Sequence, residues 1–239
     1  EQHRFGVKQR ETLKNNGNPH LLSLSATPIP RTLAMVVYGD QDLSIIDELP
    51  PGRHPIITRI VPEQKRLDAY EWIKKQIKEW RQVFVIWPLI DDTHEAKRSV
   101  ELKAVMQEYQ HLKTNIFPDL NLDFLHGKLK QEEKDEIMSR FSENKINILV
   151  STSIIEVGID VPNASIMVIE GAERFGLSQL HQFRGRVGRG VHQSYCFLFT
   201  NKETPQATKR LLAMVQHESG FKLAEIDLEI RGPGEIYGA

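Results

Sequence analysis

Two arginines and a glutamine, set around a pair of glycines, form the most specific chemical cluster in the sequence. Gln182, Arg186 and Arg189 lie four and three residues apart, so on a helix they would share one face. Gly185 and Gly188 remove side chains beside these arginines and would let a ligand come close. Guanidinium groups are planar and permanently charged, and they can bind phosphate oxygens through two parallel hydrogen bonds. The spacing therefore indicates a phosphate-binding surface, with a solvated basic helix end as the alternative.

Two shorter motifs follow predicted strands and could also bind phosphates. Thr152, Gly158 and Asp160 have the spacing T-x5-G-x-D, in which the hydroxyl can bond a phosphate oxygen and the carboxylate can accept from a ribose hydroxyl or an arginine. Gly127 and Lys128 offer a backbone N–H and a cation after another strand. Each motif is a weak signal by itself, so their order along the chain carries more weight.

The elements that must position these residues alternate between strands and helices. The sequence predicts strands at residues 55–61, 82–89, 120–125, 145–151, 165–170 and 194–200, and helices at residues 63–80, 95–113, 129–141, 177–190 and 204–219. On the first of these helices, Leu67, Tyr70, Ile73 and Ile77 are expected to face the core. The alternation predicts an α/β fold with a parallel sheet sandwiched by helices. Such sheets bind ligands at the carboxyl ends of their strands, where we expect all three motifs to lie.

Composition excludes several other classes of protein. The 239 residues carry a formal net charge of −1 and one cysteine, which rules out an internal disulfide and leaves nucleic-acid binding to local patches. Between residues 171 and 202 the only acidic residue is Glu173, against five cations. The sequence lacks a phosphate-binding P-loop, zinc-type cysteine and histidine spacing, and a nucleophile elbow. It also lacks an apolar run of about 18 residues, so a cytoplasmic location away from membranes is expected.

In their order, these motifs resemble the later motifs of superfamily 2 helicases, and more closely those of the RecG family. A proline-rich breaker at residues 49–52 separates the first motif from the rest. The resemblance rests on residues 1–7 (EQHRFGV), 25–35 (SATPIPRTLAM), 46–52 (IDELPPG), 155–162 (IEVGIDVP), 173–177 (ERFGL) and 231–235 (RGPGE). The Mfd family of transcription-repair translocases shares several of these segments. It therefore remains an alternative.

The resemblance implies two RecA-like domains that face each other across an ATP-binding cleft. Residues 1–51 would be the end of the first domain and a linker, and residues 52–201 the whole second domain. Residues 202–239 would be a truncated translocation motif, a helical hairpin followed by a loop. The sequence thus predicts a RecA-like α/β domain with an N-terminal stub and a C-terminal hairpin.

The resemblance also assigns roles in the nucleotide site. Arg186 and Arg189 would be arginine fingers that reach the ATP phosphates, and Gln182 would couple the nucleotide state to closure of the cleft. Gly158 and Asp160 would lie near the ribose and hold an arginine. Glu1 would be the remnant of the DEQH box, whose lost aspartate helps to bind Mg²⁺.

Other residues would connect this site to DNA. Ser25 and Thr27 resemble the motif that links the ATP state to the DNA track, and Arg231 would tie the hairpin loop to the motor. Contacts to the phosphates of the tracked strand, without sequence preference, would come from Gly127, Lys128 and Thr152.

The function implied is the second motor half of an ATP-dependent DNA helicase. The intact bacterial protein would use ATP and Mg²⁺ to remodel stalled forks and Holliday junctions in recombination and repair, in the cytoplasm and associated with the nucleoid. Its partners would be branched or duplex DNA and the rest of the same polypeptide, and the piece alone would be inactive. Besides the Mfd-like role, a non-catalytic nucleic-acid-binding module remains an alternative.

Overall fold

A parallel β-sheet forms the centre of the part of the chain that the computed structural model describes. The described residues are 22, 44–46, 48, 50, 52–88, 95–152, 161–201 and 204–231. Within them the strands are β1 (Ile57–Pro62), β2 (Gln82–Ile86), β3 (Leu122–Leu125), β4 (Ile148–Ser151), β5 (Ala164–Ile169) and β6 (Tyr195–Thr200). The order across the sheet is β1-β6-β5-β2-β4-β3, and every neighbouring pair is parallel. All strands therefore begin at one edge of the sheet and end at the other.

Helices cover both faces of this sheet. One face carries α1 (Arg66–Lys78) and α2 (Glu95–His111), and the other carries α3 (Gln131–Ser142), α4 (Leu177–Arg184), α5 (Pro205–Gln216) and α6 (Gly220–Arg231). Two 3-10 turns (Glu63–Lys65 and Ala172–Arg174) and a π-helical turn (Leu112–Ile116) complete the described helical elements. None of the helices in the described ranges is long and apolar enough to cross a lipid bilayer.

The side chains of each strand alternate between two hydrophobic cores. In β2, Phe84 and Ile86 pack with α3 and α4, whereas Val83 and Val85 pack with α1 and α2. Strands β2, β4 and β5 are buried along their whole length, as expected of a parallel sheet with covered faces. Cys196 of β6 is fully buried, and this burial raises the pKa of its thiol to about 12.

The predicted α/β architecture is confirmed, and each predicted strand is present with ends shifted by a few residues. Two details were wrong. Leu67, expected in the core, is 67% exposed. The helix predicted for residues 177–190 ends at Arg184, because Gly185 closes it and Gly188 adopts a left-handed φ of +82°.

Candidate functional site

The segment that carries the two predicted phosphate-binding arginines is a structured turn that follows α4. The N–H of Arg186 donates to the carbonyl of Phe183 at 3.0 Å, and the N–H of Val187 donates to the carbonyl of Arg184 at 3.3 Å. The side chains of Arg186 and Arg189 are both half-buried, so each of them reaches the protein surface. The turn therefore carries two partly exposed arginines, in place of the helix face that the spacing predicted, and Nε of Arg189 is buried.

This arginine segment, residues 185–190, lies at the amino-terminal edge of the sheet. A Cβ atom added to Gly188 would lie 3.1 Å from Cγ1 of Ile56, the residue that precedes β1. One added to Gly190 would overlap the carbonyl oxygen of Pro162, two residues before β5. Our expectation of a site at the carboxyl ends of the strands was therefore wrong for this segment. The reason is that α4 runs back across the sheet before the arginines appear.

Gln182, the third member of the predicted cluster, lies on α4 and is half-buried. It is therefore separated from Arg186 and Arg189 by the end of the helix. Gly188 adopts a left-handed φ of +82°, which lets the chain turn at this point, whereas Gly185 keeps an ordinary right-handed conformation.

The motif residues after β3 and β4 lie together at the opposite, carboxyl-terminal edge. Strands β3 and β4 are neighbours, and the N–H of Thr152 donates to the carbonyl of Leu125 at 3.4 Å. Gly127 and Lys128 are exposed, and no atom lies within 4 Å of the position that a Cβ on Gly127 would take. The structure thus brings Gly127, Lys128 and Thr152 into one neighbourhood, as predicted.

Two buried polar atoms at this edge have no hydrogen-bond partner. They are Oγ1 of Thr152, whose side chain is only 1% exposed, and Nδ1 of His126. Burial lowers the pKa of the His126 imidazole, so the ring is neutral near pH 7. Buried polar atoms are nearly always paired in folded proteins. These two atoms are therefore unsatisfied polar groups within the described part of this edge, and both are covered by protein.

The carboxyl ends of β5 and β6 hold an ion-pair cluster that sequence analysis missed. Nη1 of Arg66 lies 2.7 Å from Oε2 of Glu170, and the Tyr70 hydroxyl donates to Oε1 of Glu170 at 3.1 Å. Arg66 also donates to Asn201 at 2.8 Å. Burial raises the pKa of the Glu170 carboxyl, and the Arg66 guanidinium opposes this rise. A charged residue following a buried strand was the available signal, since such a residue needs a partner.

Arg184 was also missed, because the sequence offers it only as one more cation of the basic stretch. Its side chain is 4% exposed, and Nη2 lies 3.0 Å from Nδ1 of His181. Burial, reinforced by the Arg184 charge, lowers the pKa of His181 to about 4. The imidazole is therefore neutral near pH 7 and accepts this hydrogen bond through Nδ1, which assigns its own proton to Nε2.

The remaining predicted site residues fall outside the described part of the chain. They are Glu1, Ser25, Thr27, Gly158 and Asp160. Arg231 is the last residue of α6, and only its backbone is described.

A family model for the helicase conserved C-terminal domain matches residues 68–191. Over its whole length the chain is 53% identical to the ATP-dependent DNA helicase RecG of Synechocystis sp. and 48% identical to that of Thermotoga maritima. It covers only 28% and 30% of those two proteins. The chain thus spans less than a third of the length of these relatives.

Solved structures agree with the sequence matches. The structure of RecG bound to a three-way DNA junction superposes with a TM-score of 0.73 at 46% identity, over 88% of this chain and 27% of that one. Domain 2 of the DEAD-box helicase Mss116p, bound to an RNA duplex, matches with a TM-score of 0.51 over 68% of this chain and 61% of that one. At 24% identity, this second likeness supports the fold alone.

Proposed function

Because the chain belongs to the family of the helicase conserved C-terminal domain, we propose that it is the second motor half of a RecG-type, ATP-dependent DNA helicase. Residues 52–201 are the motor domain, residues 202–239 belong to a translocation motif, and residues 1–51 complete the first motor domain. The intact protein remodels branched DNA such as stalled forks and Holliday junctions, in the bacterial cytoplasm and in association with the nucleoid.

The observation that carries this proposal is the structured turn in which the side chains of Arg186 and Arg189 are partly exposed. Two guanidinium groups three residues apart provide a donor set that fits the phosphates of ATP. The P-loop that completes the site comes from the first motor domain, because the chain itself has none. Bound ATP, with Mg²⁺, supplies the phosphoanhydride bond that is hydrolysed.

Arg186 and Arg189 act as fingers from across the cleft. They neutralise charge that develops on the transferred phosphoryl group, an effect worth roughly 10³–10⁵ in rate for arginine fingers in general. Gln182 on α4 couples closure of the cleft to the nucleotide. Gly158 and Asp160 contact the ribose and hold an arginine, and Glu1 belongs to the DEQH box.

DNA is held at the opposite edge of the sheet. Gly127 and Lys128 offer an exposed N–H and a cation, and Thr152 lies beside them with a buried hydroxyl that a local opening of this edge would uncover. These groups bind the sugar–phosphate backbone, so affinity falls with salt and does not depend on base sequence. Ser25 and Thr27 link this contact to the nucleotide, and Arg231 ties the loop after α6 to the motor.

The test is Arg189→Ala in the intact protein, with DNA-stimulated ATP hydrolysis and junction binding both measured. We expect turnover to fall by roughly 10³-fold or more, while the affinity for a DNA junction stays within about twofold because phosphate contacts to DNA lie elsewhere. The matched control is Arg140→Ala, which removes a partly exposed arginine of α3 that pairs with Asp123 of β3 at 2.9 Å. Near-normal turnover in the Arg189 variant would remove the finger assignment.

A further inference from the structure

Arg184 is the most deeply buried member of the basic stretch, yet every hydrogen-bond acceptor recorded for it is neutral. Nη1 donates to the carbonyls of Met214 at 2.8 Å and His217 at 3.0 Å, and Nη2 donates to the carbonyl of Glu218 at 3.0 Å. The fourth acceptor is the ring of His181. A buried arginine normally needs a carboxylate, so its role here requires another explanation.

The carbonyls that Arg184 binds belong to the end of α5 and the connection to α6. Helix α5 ends at Gln216 and His217 is its C-cap residue, so the last carbonyls of this helix have no partner inside it. They also carry the negative end of the helix dipole, which favours a cation. Arg184 thus caps α5 from outside, and these carbonyls, with the charge of the nearby Glu218 carboxylate, oppose the burial that lowers the pKa of its guanidinium.

The other end of Arg184 is attached to the arginine segment. Arg184 is the last residue of α4, and its own carbonyl accepts from the N–H of Val187 at 3.3 Å. One residue before it, Phe183 accepts from the N–H of Arg186 at 3.0 Å. The turn that carries Arg186 and Arg189 therefore starts from a residue whose side chain is fixed to α5 and α6.

We propose that Arg184 is a positioning residue that sets the place of Arg186 and Arg189 by capping α5, and that this inference rests on the proposed function. The fork of its guanidinium spans the carbonyls of Met214, His217 and Glu218, so a displacement of the α5–α6 connection moves the start of the arginine segment. The helical pair is therefore part of the support of the nucleotide site. Arg184 itself does not touch the nucleotide.

The test compares Arg184→Met and Arg184→Lys in the intact protein. Methionine removes both the charge and the planar guanidinium group. Lysine keeps the charge, but its ammonium group cannot bridge three carbonyls as the guanidinium does. A misplacement of about 1 Å can cost roughly 10²-fold in rate, so we expect kcat per folded molecule to fall about 100-fold for methionine and about 10-fold for lysine. The KM for ATP should change less than about threefold, because fingers act mainly in the transition state.

The control must lose a buried contact far from the arginine segment. Tyr109 of α2 lies in the core on the other face of the sheet, and its buried hydroxyl donates to the carbonyl of Leu122 at 3.1 Å. Tyr109→Phe should lower the melting temperature, as Arg184→Met does, but leave kcat per folded molecule within about twofold. A merely structural role for Arg184 predicts the same behaviour for both variants.

Three results would overturn the inference. The first is parental kcat in the folded fraction of Arg184→Met. The second is parental kcat in Arg184→Lys if the methionine variant does not fold. The third is an equal loss of kcat in Tyr109→Phe. Arg189→Ala separates this inference from the proposed function. If Arg189→Ala is inactive while the Arg184 variants keep their activity, only the positioning role of Arg184 is wrong. If Arg189→Ala is active, the assignment of Arg189 as an arginine finger is itself wrong.

Discussion

One short stretch of sequence contains Arg184, Arg186 and Arg189, and the surroundings of Arg184 differ from those of the other two. Arg184 is 4% exposed and caps a helix, whereas Arg186 and Arg189 are half-buried in the turn that follows. Residue type and glycine positions indicate a phosphate-binding function for this stretch, which stays a prediction. Sequence spacing could not predict that Arg184 is buried, since its acceptors are backbone carbonyls that lie 30 or more residues away.

At the residue scale, His181 should make the stability of the chain depend on pH. Its pKa is lowered by burial and by Arg184 to about 4, below its ordinary value of 6.5. As the pH falls from 6.5 towards 4, the unfolded chain takes up a proton that the folded chain refuses, so the free energy of unfolding decreases. Above pH 6.5 this contribution is constant, and the loss is at most about 1.4 kcal/mol per pH unit.

His181→Gln keeps an acceptor for Arg184 but does not titrate. In urea unfolding at pH 7 and pH 5, this variant should lose less free energy of unfolding between the two pH values than the parent does. The other histidines are the same in both proteins, so the difference isolates His181. Equal losses would show that His181 is not held neutral by the fold.

At the scale of elements, the ends of helices were harder to predict than their existence. The apolar periodicity of residues 177–190 continues past Arg184, which made a longer helix the natural interpretation. The turn that ends the helix depends on Gly188, whose left-handed φ of +82° lets the chain pack on Ile56. These two residues are far apart in sequence, so the contact could not be predicted from the local pattern. Strands β2, β4 and β5 were predictable because continuous apolar runs are typical of buried parallel strands.

The turn that follows α4 packs closely against the residues before β5, so we expect Gly190→Ala to destabilise the fold. The added Cβ would overlap the carbonyl oxygen of Pro162 and lie 3.1 Å from its carbonyl carbon, and backbone atoms of a strand end have little room to move. We expect a loss of roughly 1–3 kcal/mol in the free energy of unfolding.

Gly127→Ala is the matched control for this substitution. Its Cβ would meet no atom within 4 Å and its φ is not positive, so stability should change by less than about 1 kcal/mol. Chemical denaturation of both variants measures the contrast. Similar stabilities would mean that the turn does not pack against Pro162 as described.

At the scale of the molecule, the two candidate sites occupy opposite edges of one sheet. The fold class could be predicted from the alternation of strands and helices. The separation of the sites could not, because it depends on α4 and its turn, which return the chain to the amino-terminal edge. The ion pair of Arg66 and Glu170 occupies the carboxyl ends of β5 and β6, where the arginine segment had been expected.

This arrangement predicts that the 239-residue chain hydrolyses no ATP by itself. Arginine fingers stabilise a transition state that other groups must bind, and the chain contains no P-loop. Purified chain with ATP, Mg²⁺ and branched DNA should release phosphate at the rate of a sample that lacks protein. Turnover that depends on the chain, and that Arg189→Ala abolishes, would contradict the division into two motor halves.

The burial of the central strands has a mechanical consequence. Strands of four to six residues span roughly 13–20 Å, and a closely packed interior resists compression. We expect a pull exerted on the arginine segment to displace Gly127, Lys128 and Thr152 by a similar distance, with the sheet moving as one rigid body. The length of a step along DNA would then be set by how far the whole domain travels, rather than by local rearrangement of its loops.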